Sequence, residues 1–348
     1  SQSLCPKMVS SFGLCFEGEL SDSLRSSGVQ PCILGGARLS RPWTVWKVRR
    51  RLRQLMQETV PDVVFCHSYW PQVVFGPTVL KAGIPLAYRS TDIPRGAHWM
   101  EKLAAKVRPH LVIANSRQTA RAVALHMYPD VDIRVIYNPV DNRVPKDRES
   151  LRVQMRRELG VEPGQTVFFT ASRMVPLKGL HVLLDALGRI AYRRDWTCWI
   201  AGGAQSGEET AYLDKLQKTA DGMGIQDRVR FLGHRQDIPH LLCAVDVYCQ
   251  PNTEPDAFGI SFIEALYAGL PVVTSEIGGA VEIVDDSCGI LLPPGEVDAL
   301  VGELEHLLDD PGLRDRLSRG GPSRAHLLSD PGCQMHQLHE ALGSVVNV

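Results

Sequence analysis

An α/β fold with two doubly wound, Rossmann-like domains facing a cleft is the fold class that the sequence predicts, and three observations support it. The chain has 348 residues, more than the ~100–200 residues of one ordinary domain. Short apolar runs alternate with helical patterns, as expected for parallel strands buried on both faces. About ten such runs occur, which is too many for one compact nucleotide-binding unit.

The predicted elements divide the chain into two parts near Asn138-Pro139. The predicted strands are residues 63–66, 86–88, 111–114, 135–137, 167–170, 198–201, 229–232, 245–249, 271–274 and 289–292. A polar, charged stretch follows the fourth strand, so we place the first domain at residues 1–145 and the second at 146–330. We expect a final helix in residues 331–348 to cross back and complete the first domain.

Composition narrows the class of protein. Hydrophobic residues make up 44% and charged residues 22% of the chain, as in folded proteins. Residues 1–145 contain 19 Lys or Arg against 10 Asp or Glu, and the remainder contains 19 against 29. The basic first half predicts an anionic partner. Nine cysteines at scattered spacings, without a CxxC pair, argue against disulfides and zinc sites and favour a cytoplasmic location.

The segment between Ser23 and Gln57 contains eight basic residues and no acidic one. Within it, residues 43–58 have apolar positions at helical spacing and therefore predict an amphipathic helix with a basic face. One interpretation is a solvated surface helix. The other is peripheral contact with anionic lipid on the inner face of a membrane, assisted by Trp43 and Trp46.

The stretch EPDAFGISFIEALYAGLPVVTS, residues 254–275, carries the most chemical information. Backbone N–H groups at Phe258, Gly259 and Ile260 would begin a helix and form an anion site. Glu264 lies about one turn further in, where its carboxylate suits a vicinal diol such as a ribose. A lone Glu near a helix start is also a common partner of the helix dipole, so that structural role remains open.

Two basic residues open the second domain in the stretch TASRMVPLKG. Arg173 and Lys178 follow a predicted strand on the loop that leads into a helix. Cations at the carboxyl end of a parallel strand are placed to hold a pyrophosphate, Arg as a fork and Lys as a point charge. Taken alone, each of these residues could equally be an ordinary basic residue on the surface, without a role in binding.

Together these stretches resemble the retaining, nucleotide-sugar-dependent glycosyltransferases of family 4, which have the GT-B fold. The matching segments, in order, are VIANSRQTA, VIYNPVDN, SRMVPLKG, IAGG, VRFLGHRQDIPHLLCAVDVYCQP, the acid-FG-x4-E-A-x3-G-x-P-VV block, IGGAVEIV and GILLPPGEVDAL. Their order and spacing over about 280 residues make the resemblance specific.

The resemblance implies that the second domain binds a nucleotide-diphosphate sugar as co-substrate, without a further cofactor or a metal. It implies that Arg173 and Lys178 neutralise the diphosphate and that Glu264 binds the ribose. The other positions that it assigns to the donor are Phe258, Gly259, Ile260, Gly233 and His234.

Three further positions follow from the resemblance. Asp256 occupies the place of the first Glu in the family's E-x7-E pair, which contacts the hydroxyls of the donor hexose. Its side chain is one methylene shorter than that of Glu, so Glu254 is an alternative. His67, at the end of the strand VVFC, corresponds to the family's histidine that faces the donor sugar across the cleft.

The function implied is hexosyl transfer to a glycan or lipid-linked acceptor, with retention of configuration, in cell-surface polysaccharide biosynthesis. One departure supports an alternative. Residues 1–30 resemble the second βα unit of the family, and the first unit with its glycine-rich loop is missing, which would leave a nucleotide-sugar binder with impaired catalysis. A Rossmann dehydrogenase lacks its G-x-G-x-x-G fingerprint here, and the basic helix alone does not support a nucleic-acid binder.

Overall fold

The computed structural model describes residues 10–346, which form two compact units. The first unit contains residues 10–115, 119–136 and 335–346, and the second contains residues 116–118 and 137–334. The main change of unit therefore follows residue 136, whereas the sequence placed it after residue 145. The return to the first unit comes at residue 335, whereas the sequence placed it at residue 331.

Parallel strands with flanking helices build the first unit. Its strands are β1 (Gly13–Leu14), β2 (Cys32–Ile33), β3 (Val64–His67), β4 (Leu86–Ser90), β5 (Leu111–Ala114) and β6 (Asp132–Val135). Its helices are α1 (Glu19–Ser26), α2 (Pro42–Thr59), α3 (Tyr69–Lys81), α4 (Trp99–Ala105) and α5 (Arg117–His126), of which α5 begins in residues counted with the second unit. The main sheet has the order β3-β4-β5-β6, and β1 pairs with β2 separately.

A six-stranded parallel sheet forms the centre of the second unit. Its strands are β7 (Thr166–Ala171), β8 (Trp196–Ala201), β9 (Val229–Gly233), β10 (Val247–Gln250), β11 (Val272–Ser275) and β12 (Gly289–Leu292). Its helices are α6 (Arg148–Glu158), α7 (Leu180–Arg189), α8 (Gly207–Gly222), α9 (Ile238–Ala244), α10 (Ile260–Tyr267), α11 (Ala280–Ile283), α12 (Val297–Asp309) and α13 (Pro311–Ser329). The strand order is β12-β11-β10-β7-β8-β9, which places β7 and β10 side by side at the centre.

The last helix, α14 (Pro331–Val346), contributes most of its length to the first unit. Its residues Leu338 and Ala341 pack in one apolar cluster with Ala87 of β4 and with Leu111 and Ile113 of β5. The helix therefore covers a face of the first sheet that the preceding elements leave apolar.

Two apolar layers cover the sheet of the second unit. Along β7, Phe168 belongs to one layer and Phe169 to the other, and both are fully buried. This alternation is what the period of two residues in a strand requires when both faces are covered. Fully burying one such side chain contributes about 1.5–3 kcal/mol.

All ten predicted strands are present, with small shifts in their bounds. The strand predicted at residues 135–137 shows a larger shift: the observed strand, β6, lies earlier in the chain and ends at Val135. The βα unit expected in residues 1–30 corresponds to β1 and α1. The sequence missed β2, because a two-residue strand gives no periodicity to detect. Residues 1–9, which include Cys5 and the start of the βα unit expected in residues 1–30, lie outside the described residues.

Helix α2 confirms the predicted amphipathic helix. Val45, Val48, Leu52 and Met56 are buried on one side of it. No helix within residues 10–346 is long and apolar enough to cross a membrane. The cysteines in this part of the chain are all free thiols, and most of them are buried.

Replacing a core leucine should test the packing of the second unit. Leu184 on α7 is fully buried, so Leu184→Ala should lower the free energy of unfolding by about 2–5 kcal/mol. Leu327→Ala, at a side chain that is 71% exposed, should change it by less than about 0.5 kcal/mol. Urea unfolding followed by tryptophan fluorescence gives both values, and equal effects would contradict the assigned core.

Candidate active site

The carboxyl ends of the strands in the second unit carry the predicted donor residues. Backbone hydrogen bonds join these ends, from Ser172 N–H to Ala201 O (3.0 Å) and from Gly202 N–H to Gly233 O (2.8 Å). The loops after β7, β8 and β9 therefore share one edge of the sheet, where parallel α/β domains bind ligands.

Lys178 ends a short 3₁₀ turn, Pro176–Lys178, and Gly179 follows it with φ 68°. A Cβ atom on Gly179 would lie 1.7 Å from Pro251 O, so no other residue allows this approach. Thr253 N–H donates to Leu177 O at 3.0 Å. These contacts fasten the turn that carries Lys178 to the loop that follows β10.

The loop between β10 and α10 is held from its other side by the turn after β11. Gly279 N–H donates to Asp256 O at 2.8 Å. Gly278 has φ 72°, and a Cβ atom there would lie 2.6 Å from Asp256 N, so the two loops meet backbone to backbone. Phe258 is buried and stacks on Tyr137 with ring centroids 5.5 Å apart. The backbone before α10 therefore has a fixed position.

The N-terminus of α10 lies at this edge. Gly259 precedes the helix, and Ile260, its first residue, is 47% exposed. The first N–H groups of a helix have no acceptor within it, and the helix dipole adds partial positive charge there. This end of α10 is therefore suited to an anion.

Lys178 and Asp256 form an ion pair with 2.5 Å between Nζ and Oδ2. The Lys178 side chain is 14% exposed and that of Asp256 is 25% exposed, so solvent screens the pair only partly. Arg173 is exposed, and among residues 10–346 no ion pair holds it. Two cations thus lie on the loop after β7, one paired with Asp256 and one available.

Glu264 is half-buried one turn into α10, near the buried hydroxyl of Tyr248. Burial raises the pKa of the Glu264 carboxyl, and the nearby Arg143 partly offsets this increase. The charged form is therefore disfavoured in the ligand-free protein, and it would gain most from hydrogen-bond donors such as hydroxyl groups.

The remaining predicted donor residues are also at this edge. Gly233 ends β9 with φ 66°, and the His234 side chain lies beside the backbone of Gly203. Glu254 lies in the same loop as Asp256, two residues earlier. Their contacts with a donor remain predictions.

His67 belongs to the first unit, at the carboxyl end of β3. It pairs in register with Arg89 of β4, and Ser68 N–H donates to Arg89 O at 3.0 Å. The imidazole is exposed, yet desolvation by surrounding atoms and then the Arg89 charge lower the pKa of His67. His67 is therefore biased towards its neutral form.

Sequence reasoning missed two features of the edge. The first is the Lys178–Asp256 ion pair, which joins residues 78 positions apart. The second is a row of buried polar side chains, Tyr248, Gln250 and Asn252. Their alternation within an apolar strand was visible in the sequence as a signal of a functional or structural polar row.

Comparisons with known proteins agree with this architecture. Residues 14–143 match the model of Glycosyltransferase Family 4, and residues 152–324 match that of Glycosyl transferases group 1. Together the two models match most of the chain. The chain belongs to the family 4 glycosyltransferases.

Solved structures show the same fold. The crystal structure of Anabaena HepE in complex with UDP and glucose is 26% identical, with a TM-score of 0.85 over 96% of this chain and 91% of that chain. The lipopolysaccharide glycosyltransferase WaaG, at 16% identity and a TM-score of 0.69, supports the fold alone. The predicted GT-B fold is confirmed.

Curated relatives are glycosyltransferases. The lipopolysaccharide core biosynthesis mannosyltransferase LpsB of Rhizobium meliloti is 25% identical over 78% of this chain and 70% of that protein. The D-inositol 3-phosphate glycosyltransferase of Mycobacterium marinum is 30% identical over 57% of this chain and 42% of that protein. The chain thus aligns with less than half of the second relative.

Replacing Glu264 should reveal the cost of its burial. The folded-state pKa of Glu264 is raised, so the folded chain binds this proton more tightly than the unfolded chain does. Its contribution to the free energy of unfolding must then fall as the pH rises from the ordinary value of 4.5 through the raised folded value. Glu264→Gln should therefore be more stable than the wild type at pH 7 and should lack this decline.

Urea unfolding of both proteins between pH 4 and pH 7.5 measures the effect. Glu276→Gln, at an exposed position, is the matched control and should follow the wild type. A variant Glu264→Gln that is less stable than the wild type at pH 7 would contradict the burial argument.

Proposed function

We propose that the protein is a retaining, metal-independent hexosyltransferase that uses a nucleotide-diphosphate sugar and acts on a glycan or lipid-linked acceptor in cell-surface polysaccharide biosynthesis. One observation carries this proposal: Arg173, Lys178, Glu264 and the N-terminus of α10 share one edge of the second sheet. Structures of HepE with UDP and with UDP-glucose, and the activity that the name of LpsB states, support it.

The chemistry of the donor explains why cations and helix N–H groups are needed. As the bond from the anomeric carbon to the phosphate oxygen breaks, positive charge grows on the sugar and negative charge on the leaving diphosphate. Fixed positive groups at the place where that negative charge develops lower the barrier. Arg173, Lys178 and the end of α10 supply such groups from backbone positions held by hydrogen bonds.

The Lys178–Asp256 pair gives Asp256 a role in the free enzyme. In the absence of donor, Asp256 compensates the half-buried ammonium of Lys178. An arriving diphosphate takes over that compensation, and the carboxylate of Asp256 becomes available to accept hydrogen bonds from sugar hydroxyls. Its short side chain, which raised a question of reach, suffices for contact with Lys178.

Glu264 completes donor recognition through the ribose. Two hydroxyl groups donating to its carboxylate would restore the stabilisation that burial removes. We assign no protein nucleophile: the acceptor attacks the face that the diphosphate leaves, and the leaving phosphate takes the acceptor proton. The predicted role of His67 stays a prediction.

For the acceptor, we propose peripheral contact with an anionic, cytoplasmic membrane face through α2. Trp43 and Trp46 are 66% and 58% exposed, and the Arg50 guanidinium lies over the Trp46 ring at 5.8 Å. Arg49 and Arg51 donate to backbone carbonyls outside the helix, whereas Arg53 donates to Arg49 O within it. Exposed aromatic rings beside exposed basic groups, here Arg50 and Arg53, are suited to a negatively charged lipid interface.

Removing either cation should impair catalysis strongly. Lys178→Ala and Arg173→Ala should each lower the rate of donor turnover by roughly 100-fold or more, the loss expected when one transition-state donor is deleted. Release of nucleoside diphosphate from UDP-, GDP- and ADP-sugars, with and without added acceptor glycans, measures this rate. Arg194→Ala, an exposed arginine outside the site, is the control.

The turnover assay, combined with a thermal-shift binding panel, separates an active glycosyltransferase from a nucleotide-sugar binder with impaired catalysis. Stabilisation of the wild type by a nucleotide in a thermal-shift panel, with no turnover of any donor sugar, would identify a binder without catalysis. Normal turnover in both cation variants would remove the proposed assignment of Arg173 and Lys178.

Charge and aromatic variants of α2 should test the membrane contact. Each basic residue near an anionic surface contributes ~1 kcal/mol, so the double variant Arg50→Ala, Arg53→Ala should bind such vesicles about 30-fold more weakly. Co-sedimentation with phosphatidylcholine vesicles, with and without phosphatidylglycerol, measures binding at low and high salt. Arg134→Ala is the control, since Arg134 pairs locally with Asp132.

The Trp43→Ala, Trp46→Ala double variant should also reduce retention on the vesicles. Binding that ignores lipid charge and salt, or that survives both double variants, would contradict the proposed contact.

A further inference from the structure

A row of buried polar side chains lies along β10 and continues just beyond it. Tyr248, Gln250 and Asn252 are all fully buried and alternate along the strand, so they share one face. The Tyr248 hydroxyl lies 3.1 Å from Gln250 Oε1, and Gln250 Nε2 donates to Asn252 Oδ1 at 2.9 Å. We call these three residues the polar row.

One end of the polar row is hydrogen-bonded to the neighbouring strand. The other end, which we call the open end, is a buried donor without a hydrogen-bond partner among the described residues. Ala171 N–H donates to the Tyr248 hydroxyl at 3.3 Å, which ties the row to the last residue of β7. At the other end, Asn252 Nδ2 is enclosed and has no hydrogen-bond partner among residues 10–346. A buried donor without an acceptor costs about 1–3 kcal/mol, so its retention calls for an explanation.

The open end of the row lies at the candidate active site. Thr253, the next residue, donates through its N–H to Leu177 O, and its hydroxyl donates to Pro176 O at 3.1 Å. Asn252 is thus directly beside the turn that carries Lys178. The row also lies under α10, because the Tyr248 ring packs edge-on against Phe262 at 6.0 Å.

We infer that Asn252 is a further donor-binding residue, whose side-chain N–H group donates to an oxygen of the donor diphosphate held by Lys178. This inference rests on the proposed function. Gln250 already donates to Asn252 Oδ1, so the group of the Asn252 side chain that is left to contact the ligand is the donor Nδ2. A neutral donor fits this place, because it strengthens binding of the phosphate without adding a second buried charge beside Lys178.

Gln250 is then a positioning residue, and the contact forms as the turn around Lys178 adjusts to admit the diphosphate. The row links the ends of β7 and β10 to this amide through hydrogen bonds that are fully enclosed. Such a row restricts Asn252 to one orientation, which lowers the cost of ordering it on binding.

Binding of inorganic pyrophosphate, UDP and uridine to the purified full chain tests the inference. Asn252→Ala should weaken binding of UDP and pyrophosphate at least ~10-fold, the effect of losing one hydrogen bond to a charged group. Asn252→Asp should weaken it further through repulsion. Affinity for uridine, which lacks phosphate, should remain near that of the wild type and reports that the site is folded.

Two further variants serve as controls for charge and for position. Gln154→Glu adds one negative charge at an exposed position of α6 and should leave all three affinities unchanged. Gln250→Leu removes the partner of Asn252 Oδ1 and should weaken UDP and pyrophosphate but not uridine, whereas a purely structural role would lower all affinities together with the melting temperature.

Each outcome is decisive. If the wild type binds UDP or pyrophosphate and the Asn252 variants bind them equally well, the inference is overturned and the proposed function stands. The same holds if Asn252→Asp retains full affinity, because the open end of the row would then be an acceptor. If the wild type binds none of these ligands, the proposed function fails and the inference fails with it.

Discussion

The contact of the Gly179 backbone with the Pro251 carbonyl is the constraint on which the site depends. It brings the loop after β7 against the loop after β10, so that cations and carboxylates far apart in sequence share one edge of the sheet. Parallel strands supply this edge, and close backbone approach fixes the distances across it. Precise placement of charge is what electrostatic catalysis requires, since groups that must reorganise lose much of their effect.

Several polar groups of the candidate site are in unfavourable surroundings in the ligand-free protein, and a bound ligand would stabilise them. Glu264 is a carboxylate whose burial disfavours its charge, and Asn252 holds a donor without an acceptor. Lys178 is compensated by Asp256 rather than by solvent. Each arrangement is less favourable than that of an ordinary surface residue, and each improves when hydroxyls and phosphate oxygens arrive. Such a site contributes little to folding and much to recognition.

Much of the fold could be predicted from the sequence, because strands that are buried on both faces have continuous apolar sequences. The helix 43–58 was equally visible, since its apolar stripe has the helical period. A strand of two residues, Cys32–Ile33, carries no period and was missed. At the site, motif spacing identified Lys178 and Asp256 separately. Their pairing depends on how two loops meet in space, and one sequence contains no measure of that distance.

The distribution of thiols has a practical consequence. Burial raises the pKa of Cys66 to about 12 and also raises that of Cys198, so these sulfurs resist alkylation in the native protein. Cys32 in the first unit and Cys333 in the second are exposed, although hydrogen bonding with Asp330 raises the pKa of Cys333. Within residues 10–346, Cys32 and Cys333 are the exposed thiols, one in each unit, and they are the native positions suited to fluorescent dyes for energy-transfer measurements.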